Sequence, residues 1–154
     1  MAAMKIHAFI PLATLIARLS IAGTFISAAL PKIKAPTEFA VSIEGFELIH
    51  SPLVHWVALL LPWLELIIGI GLIVPMIRKV SGALIAGLLI LFIGLHASAW
   101  QRGLDISCGC FGTDAEPTTN YSLLILRNLL LLAATCFVLF RDLKANRATS
   151  KIAI

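Results

Sequence analysis

Apolar residues in this chain do not alternate with polar ones; they run on. Four stretches, near residues 9–31, 53–75, 80–100 and 121–140, carry only isolated charges. Each matches the ~20 residues that a helix needs to cross the ~30 Å hydrocarbon core of a bilayer. Lipid offers backbone groups no partners, so a spanning segment is a helix or part of a closed barrel. Runs without a two-residue period exclude the barrel. The pattern predicts an all-α membrane protein, a four-transmembrane-helix bundle forming one domain over residues 1–154. The short turn Met76-Ile77-Arg78-Lys79 makes spans two and three antiparallel neighbours.

A different pattern separates the first two spans. Phe39, Ile43, Phe46 and Ile49 recur at helical spacing, Glu38, Glu44 and Glu47 stay polar, and Pro36 suits a first helical position. This predicts a short extracytoplasmic amphipathic helix that lies on the outer surface or caps the bundle. Within the spans, Pro62 removes a backbone donor close to Glu65 and should kink its helix. Gly69 and Gly71, then Gly82, Ala83, Gly87, Gly94 and Ala97, offer small surfaces for close helix approach.

Composition agrees with the pattern: 60% of the 154 residues are hydrophobic and the mean hydropathy is +1.00, far above a soluble average. Charge then supplies orientation. Lys5, Arg78, Lys79, Arg141, Lys144, Arg147 and Lys151 fall on one side of the four spans; the other holds Lys32, Lys34 and Arg102 among the acidic residues. The Lys/Arg bias of cytoplasmic loops places both termini in the cytoplasm. The net charge of +4 is thus a topology signal and calls for no nucleic acid. An apolar run ending at Ser27-Ala28-Ala29 looks like a secretory signal, but it is long for one and Arg18 interrupts it, so the first span is expected to be retained.

Charges inside the spans need partners, since even a lenient insertion scale costs them about 2.5 kcal/mol each. Counted from the outer ends of their runs, Arg18 and Glu65 both lie ~18 Å deep, so they are expected to pair. His96 and Arg127 lie within ~10 Å of the outer surface, where a proton shuttle and an anion-stabilising cation would serve thiol chemistry. His50 and His55, near the same surface, are expected to be solvated or hydrogen-bonded rather than ligands.

The thiols concerned are Cys108 and Cys110, in Ser107-Cys108-Gly109-Cys110-Phe111-Gly112, within the polar stretch 101–120 that faces an oxidising compartment on this topology. A disulfide across one residue closes a small strained ring, which Gly109 is best able to accommodate. Strain raises the reduction potential and suits exchange better than stapling. Cys136 lies ~24 Å along the last span, out of reach, and is expected to be a small buried hydrophobe. No metal is expected, because two sulfurs one residue apart do not match structural zinc spacing. Gly-x-Ser-x-Gly and Gly-x-x-x-x-Gly-Lys are absent.

Taken together, these residues resemble the MauE branch of the DoxX-like membrane proteins. The likeness is carried by Arg18, Gly23 and Lys32, by Leu61-Pro62-Trp63-Leu64-Glu65-Leu66, by Arg102 through Gly112 with its Cys-Gly-Cys-Phe-Gly core, and by Leu126-Arg127-Asn128. It covers nearly the whole chain. The resemblance implies a redox-associated protein of the bacterial inner membrane. Such proteins serve maturation of the disulfide-rich small subunit of methylamine dehydrogenase, beside a thioredoxin-like partner. By that resemblance Cys108 and Cys110 carry the redox role on the periplasmic side.

Three functions follow as expectations. The first is thiol–disulfide exchange through Cys108 and Cys110, assisted by His96 and Arg127, with a periplasmic thioredoxin-like protein or cysteine-rich client. The second is a quinone-linked oxidoreductase subunit whose membrane quinone lies near Arg18, Glu65 and Trp63. The third is a non-catalytic anchor for a redox partner.

Overall fold

The computed structural model describes residues 2–104 and 120–152. Five helices account for most of them: α1 (Ala2–Lys34), α2 (Pro36–Glu44), α3 (Leu53–Ile73), α4 (Arg78–Gln101) and α5 (Tyr121–Ile152), with no strand among the described residues. Four stretches are long and apolar enough to cross a membrane: Leu12–Lys34, Leu53–Ile73, Arg78–Gln101 and Tyr121–Lys144. The expected spans are therefore present; α1 begins before span one and α5 continues past span four.

The long helices close a ring in which α1 packs on α3, α3 on α4, α4 on α5 and α5 on α1. The outer faces carry apolar side chains such as Leu60, Ile67, Ile90, Leu130 and Phe140, all about half exposed or more, as lipid contact requires. Trp56, in the first turn of α3, and Trp100, in the last of α4, also point outward, where amphipathic rings favour the membrane interface. Hydroxyls within the helices bond locally: Thr24 to the Ser20 carbonyl and Thr135 to the Leu131 carbonyl, 2.8 and 2.7 Å.

The half of the bundle nearer the α3–α4 turn is solid. Ile21, Phe25, Ile68, Leu72, Ile85, Leu89 and Val138 form one buried cluster there. Glycines of α3 allow the approach: a Cβ on Gly69 would sit 3.2 Å from Ile26 Cγ1 and Phe25 Cβ, and one on Gly71 would collide with the Ser81 hydroxyl. On α4 the expectation of a small-residue packing face holds for Gly82, which lies near Leu72 and Leu139, but not for Gly87 and Gly94, which face open space. Cys136 departs from expectation too: it is exposed on the outer face of α5 rather than buried.

At the opposite end α2 packs across the bundle mouth. Pro36 occupies its first turn, and Phe39 and Ala40 bury against Val54 and Ala58 of α3, with Ile43, Ile49 and Leu61 around them. The predicted amphipathic helix is therefore real, although it stops at Glu44, leaving Phe46 and Ile49 in the chain that follows.

The C-terminus of α4 is built by a glycine. Gly103 takes φ +63°, its N–H bonds the Trp100 carbonyl, and the Leu104 N–H reaches back to the Ala99 carbonyl. This left-handed cap satisfies the last orphan carbonyls and turns Leu104 onto Ala99 and Tyr121, where Phe46 joins them. The Tyr121 hydroxyl donates to the Leu104 carbonyl and Arg102 donates to the Phe46 carbonyl, so the α4 end, the α5 start and the loop after α2 are tied together.

Candidate functional site

Beneath α2 the bundle is hollow. A cavity of about 330 Å³ is lined by residues of every helix: Phe25, Ala28 and Lys32 of α1, Phe39 and Ile43 of α2, Leu61 and Glu65 of α3, Phe92, Leu95 and His96 of α4, and Arg127, Asn128 and Leu131 of α5. Phe46, Leu48 and Ile49 complete the wall between α2 and α3. The lining is overwhelmingly apolar, with a few polar groups held in it, which is the usual make-up of a small-molecule site.

Besides Arg127, its lining holds an ion pair. Lys32 Nζ donates to Glu65 Oε1 at 2.9 Å and to Oε2 at 2.8 Å, with the two residues 5% and 1% exposed. The ammonium also lies 5.0 Å from the Phe39 ring centroid and 5.8 Å from that of Phe92, within cation–π range. Two oxygens and two ring faces around one ammonium supply the compensation that a buried charge requires.

The expected pairing of Arg18 with Glu65 is thus overturned. Arg18 Nη2 bonds Asp142 Oδ1 at 2.8 Å, and Arg78 Nε approaches the same oxygen at 3.4 Å. This cluster ties α1, α4 and α5 together at the end of the bundle away from α2. The physical reason is register: Gly69 packs at the level of Ala22 and Ile26, so Glu65, one turn further on, lies well above Arg18, and the long Lys32 stem reaches down to it. Trp63 is 49% exposed on the outer face and absent from the cavity lining. Arg18, Glu65 and Trp63 are therefore not brought together.

His96 and Arg127 are brought together, on the cavity wall nearest the tied loop ends. His96 is 4% exposed; its Nδ1 lies 2.5 Å from the Phe92 carbonyl, and its ring is 6.1 Å from Phe46 and 6.5 Å from Tyr121. His50 and His55 are exposed, as expected. Cys108 and Cys110, together with Asp105, lie outside the described residues. Among the described residues no three His, Cys, Asp or Glu side chains converge as a metal site.

Two site residues were missed as chemistry. Lys32 was read as an outer-side cation and as part of the resembling motif, with no partner assigned, although its place beside the end of the first apolar run was a usable signal. Asn128 is 3% exposed and lines the cavity, and its Nδ2 has no hydrogen-bond partner among the described residues. A lone amide inside an apolar run was the visible sign.

Fold and site define a multi-pass helical membrane protein with a capped apolar cavity and a buried ion pair in it. The chain belongs to the MauE family: the family described as methylamine utilisation protein MauE matches residues 10–141. It is similar to the methylamine utilization protein MauE of Methylophilus methylotrophus, 33% identical over 129 residues, 83% of this chain and 68% of that protein. The MauE proteins of Paracoccus denitrificans and Methylorubrum extorquens are 33% and 35% identical over 117 and 119 residues, 75% and 77% of this chain. The match spans 62% and 63% of those two proteins' lengths. No solved structure matches the chain significantly.

Proposed function

We propose that this chain, as a MauE-branch member of the DoxX-like proteins, exchanges thiols and disulfides at the α2 end of the bundle, facing the periplasm of a bacterial inner membrane with both termini cytoplasmic. The Cys108 and Cys110 dithiol loses two electrons and two protons as its disulfide forms, and a disulfide in the partner takes them up as it opens to a dithiol; the reverse transfer runs through the same atoms. The partner is a thioredoxin-like protein or a cysteine-rich client in methylamine-utilisation-type maturation, and a membrane quinone is the carrier on the lipid side.

The observation that carries the reading is the joining of Leu104 to Tyr121 beside His96. The chain bearing both cysteines therefore leaves and re-enters the bundle at one point, next to His96 of the cavity lining. A buried imidazole there is suited to moving the proton that thiol attack releases. The lysine and arginine excess on the opposite side of the spans supports the orientation.

The test is differential alkylation and mass spectrometry of membranes that contain Cys108→Ser, Cys110→Ser or the parent chain, together with a co-expressed cysteine-rich client. Loss of client disulfides in both variants at normal protein abundance supports exchange. An unchanged client redox state in both variants leaves a non-catalytic anchor as the better reading.

A further inference from the structure

The cavity contains more polar architecture than thiol exchange needs. Asn128 is a neutral amide whose Nδ2 is buried and lacks a partner among the described residues, and a buried donor left without its hydrogen bond is destabilising. Lys32 gives two of its three protons to Glu65. Both residues thus have donor capacity for an acceptor on a bound molecule.

The occupant's chemistry follows from the walls. Phe25, Phe39 and Phe92 place three aromatic rings around the space, which favours a planar ring as guest. A volume of about 330 Å³ is at the low end of the ~300–1,000 Å³ of small-molecule sites, enough for a ring headgroup with the start of a tail and too little for a whole lipid. An anionic headgroup would compete with the Glu65 carboxylate for Lys32, whereas a neutral carbonyl would not. Leu48 and Leu91 line the cavity while about half exposed on the outer surface, so the rim is continuous with lipid. Among the described helices α2 packs on α1 and α3.

We propose that this cavity binds the ring of a lipid-soluble quinone, its carbonyl oxygens accepting hydrogen bonds from Asn128 and Lys32 and its face lying among Phe25, Phe39 and Phe92. When bound, such a ring supplies a two-electron, two-proton acceptor within the bundle. The site residues are those of α1, α2, α4 and α5 rather than the Arg18, Glu65 and Trp63 set; only Glu65 is shared, as the partner that holds Lys32 in place. The inference rests on the thiol-exchange reading for the source of electrons only; binding itself stands on the cavity.

The experiment uses the full chain in nanodiscs of quinone-free phospholipid, titrated with a short-tailed ubiquinone analogue. Binding is read as a rise in melting temperature and by photo-crosslinking with an azido derivative, mapped by mass spectrometry. Saturable stabilisation and labelling of α1, α2, α4 or α5 peptides are expected. Asn128→Leu should weaken binding about tenfold while leaving the quinone-free melting temperature equal or higher, since it removes an unpaired buried amide. Ala28→Phe, which fills the cavity, should abolish binding. The Cys108→Ser/Cys110→Ser double variant should bind like the parent, so loss of client oxidation with retained binding separates the two readings. Equal affinity in Asn128→Leu and the parent, labelling confined to outer-face residues, or oleate stabilising the protein with the same Asn128 dependence would each overturn the proposal.

Discussion

Lys32 in the last turn of α1 donates to both carboxylate oxygens of Glu65, twelve residues into α3, at 2.9 and 2.8 Å. The pair joins α1 and α3, the most extensively packed pair of described helices, and its burial makes single and double replacements behave oppositely. Removing one partner leaves an uncompensated charge, a loss of about 3–5 kcal/mol, whereas replacing both by apolar groups of similar volume is often neutral.

Accordingly, Glu65→Gln or Lys32→Met alone should sharply lower the thermal stability of the purified protein in detergent. Lys32→Met with Glu65→Leu should recover most of it. A double variant as unstable as the worse single one would show that the pair does more than neutralise itself.

The Arg18–Asp142–Arg78 cluster sets up a graded comparison. Arg18 is 12% exposed at its side chain and 2.8 Å from Asp142, while Arg78 is 29% exposed and 3.4 Å away. A more exposed, longer contact is worth little, within about 1 kcal/mol. Asp142→Ala should therefore destabilise most, Arg18→Ala nearly as much, and Arg78→Ala least, in melting curves on the same preparation. If Arg78→Ala matched Asp142→Ala, the ranking by burial would be wrong.

Much of the fold was legible because its cause is local. Uninterrupted apolar runs of membrane-spanning length have few structural options, and the Phe39, Ile43, Phe46 and Ile49 spacing identified a short amphipathic helix, though not whether it lies on the surface or caps the bundle. Ion pairing was less legible because depth was counted from the ends of apolar runs. That count ignores two things: the register fixed by Gly69 against Ala22 and Ile26, and a lysine stem long enough to carry its charge a turn down the helix. Asp142 escaped notice because it lies just past the last apolar run, among the basic residues that served as a topology signal. Asn128 was named only within a resembling motif, since a single amide in an apolar helix does not reveal which way it faces. Gly87, Gly94 and Cys136 were misjudged for that reason too: composition does not assign a residue to a face.

The glycines turn that facing into a prediction of opposite signs. A Cβ on Gly71 collides with the Ser81 hydroxyl, and one on Gly69 lies 3.2 Å from α1 side-chain atoms, so either Gly→Ala change makes the facing side chains give way. At Gly87 nothing lies within 4 Å of an added Cβ, and alanine is preferred over glycine in a helix interior by roughly 0.5–1 kcal/mol. Gly71→Ala should thus lower the melting temperature, Gly69→Ala should lower it less, and Gly87→Ala should leave it unchanged or raise it. Destabilisation by Gly87→Ala as large as that by Gly71→Ala would mean that α4 turns a different face to its neighbours, and with it would go the assignment of Phe92, Leu95 and His96 to the cavity wall.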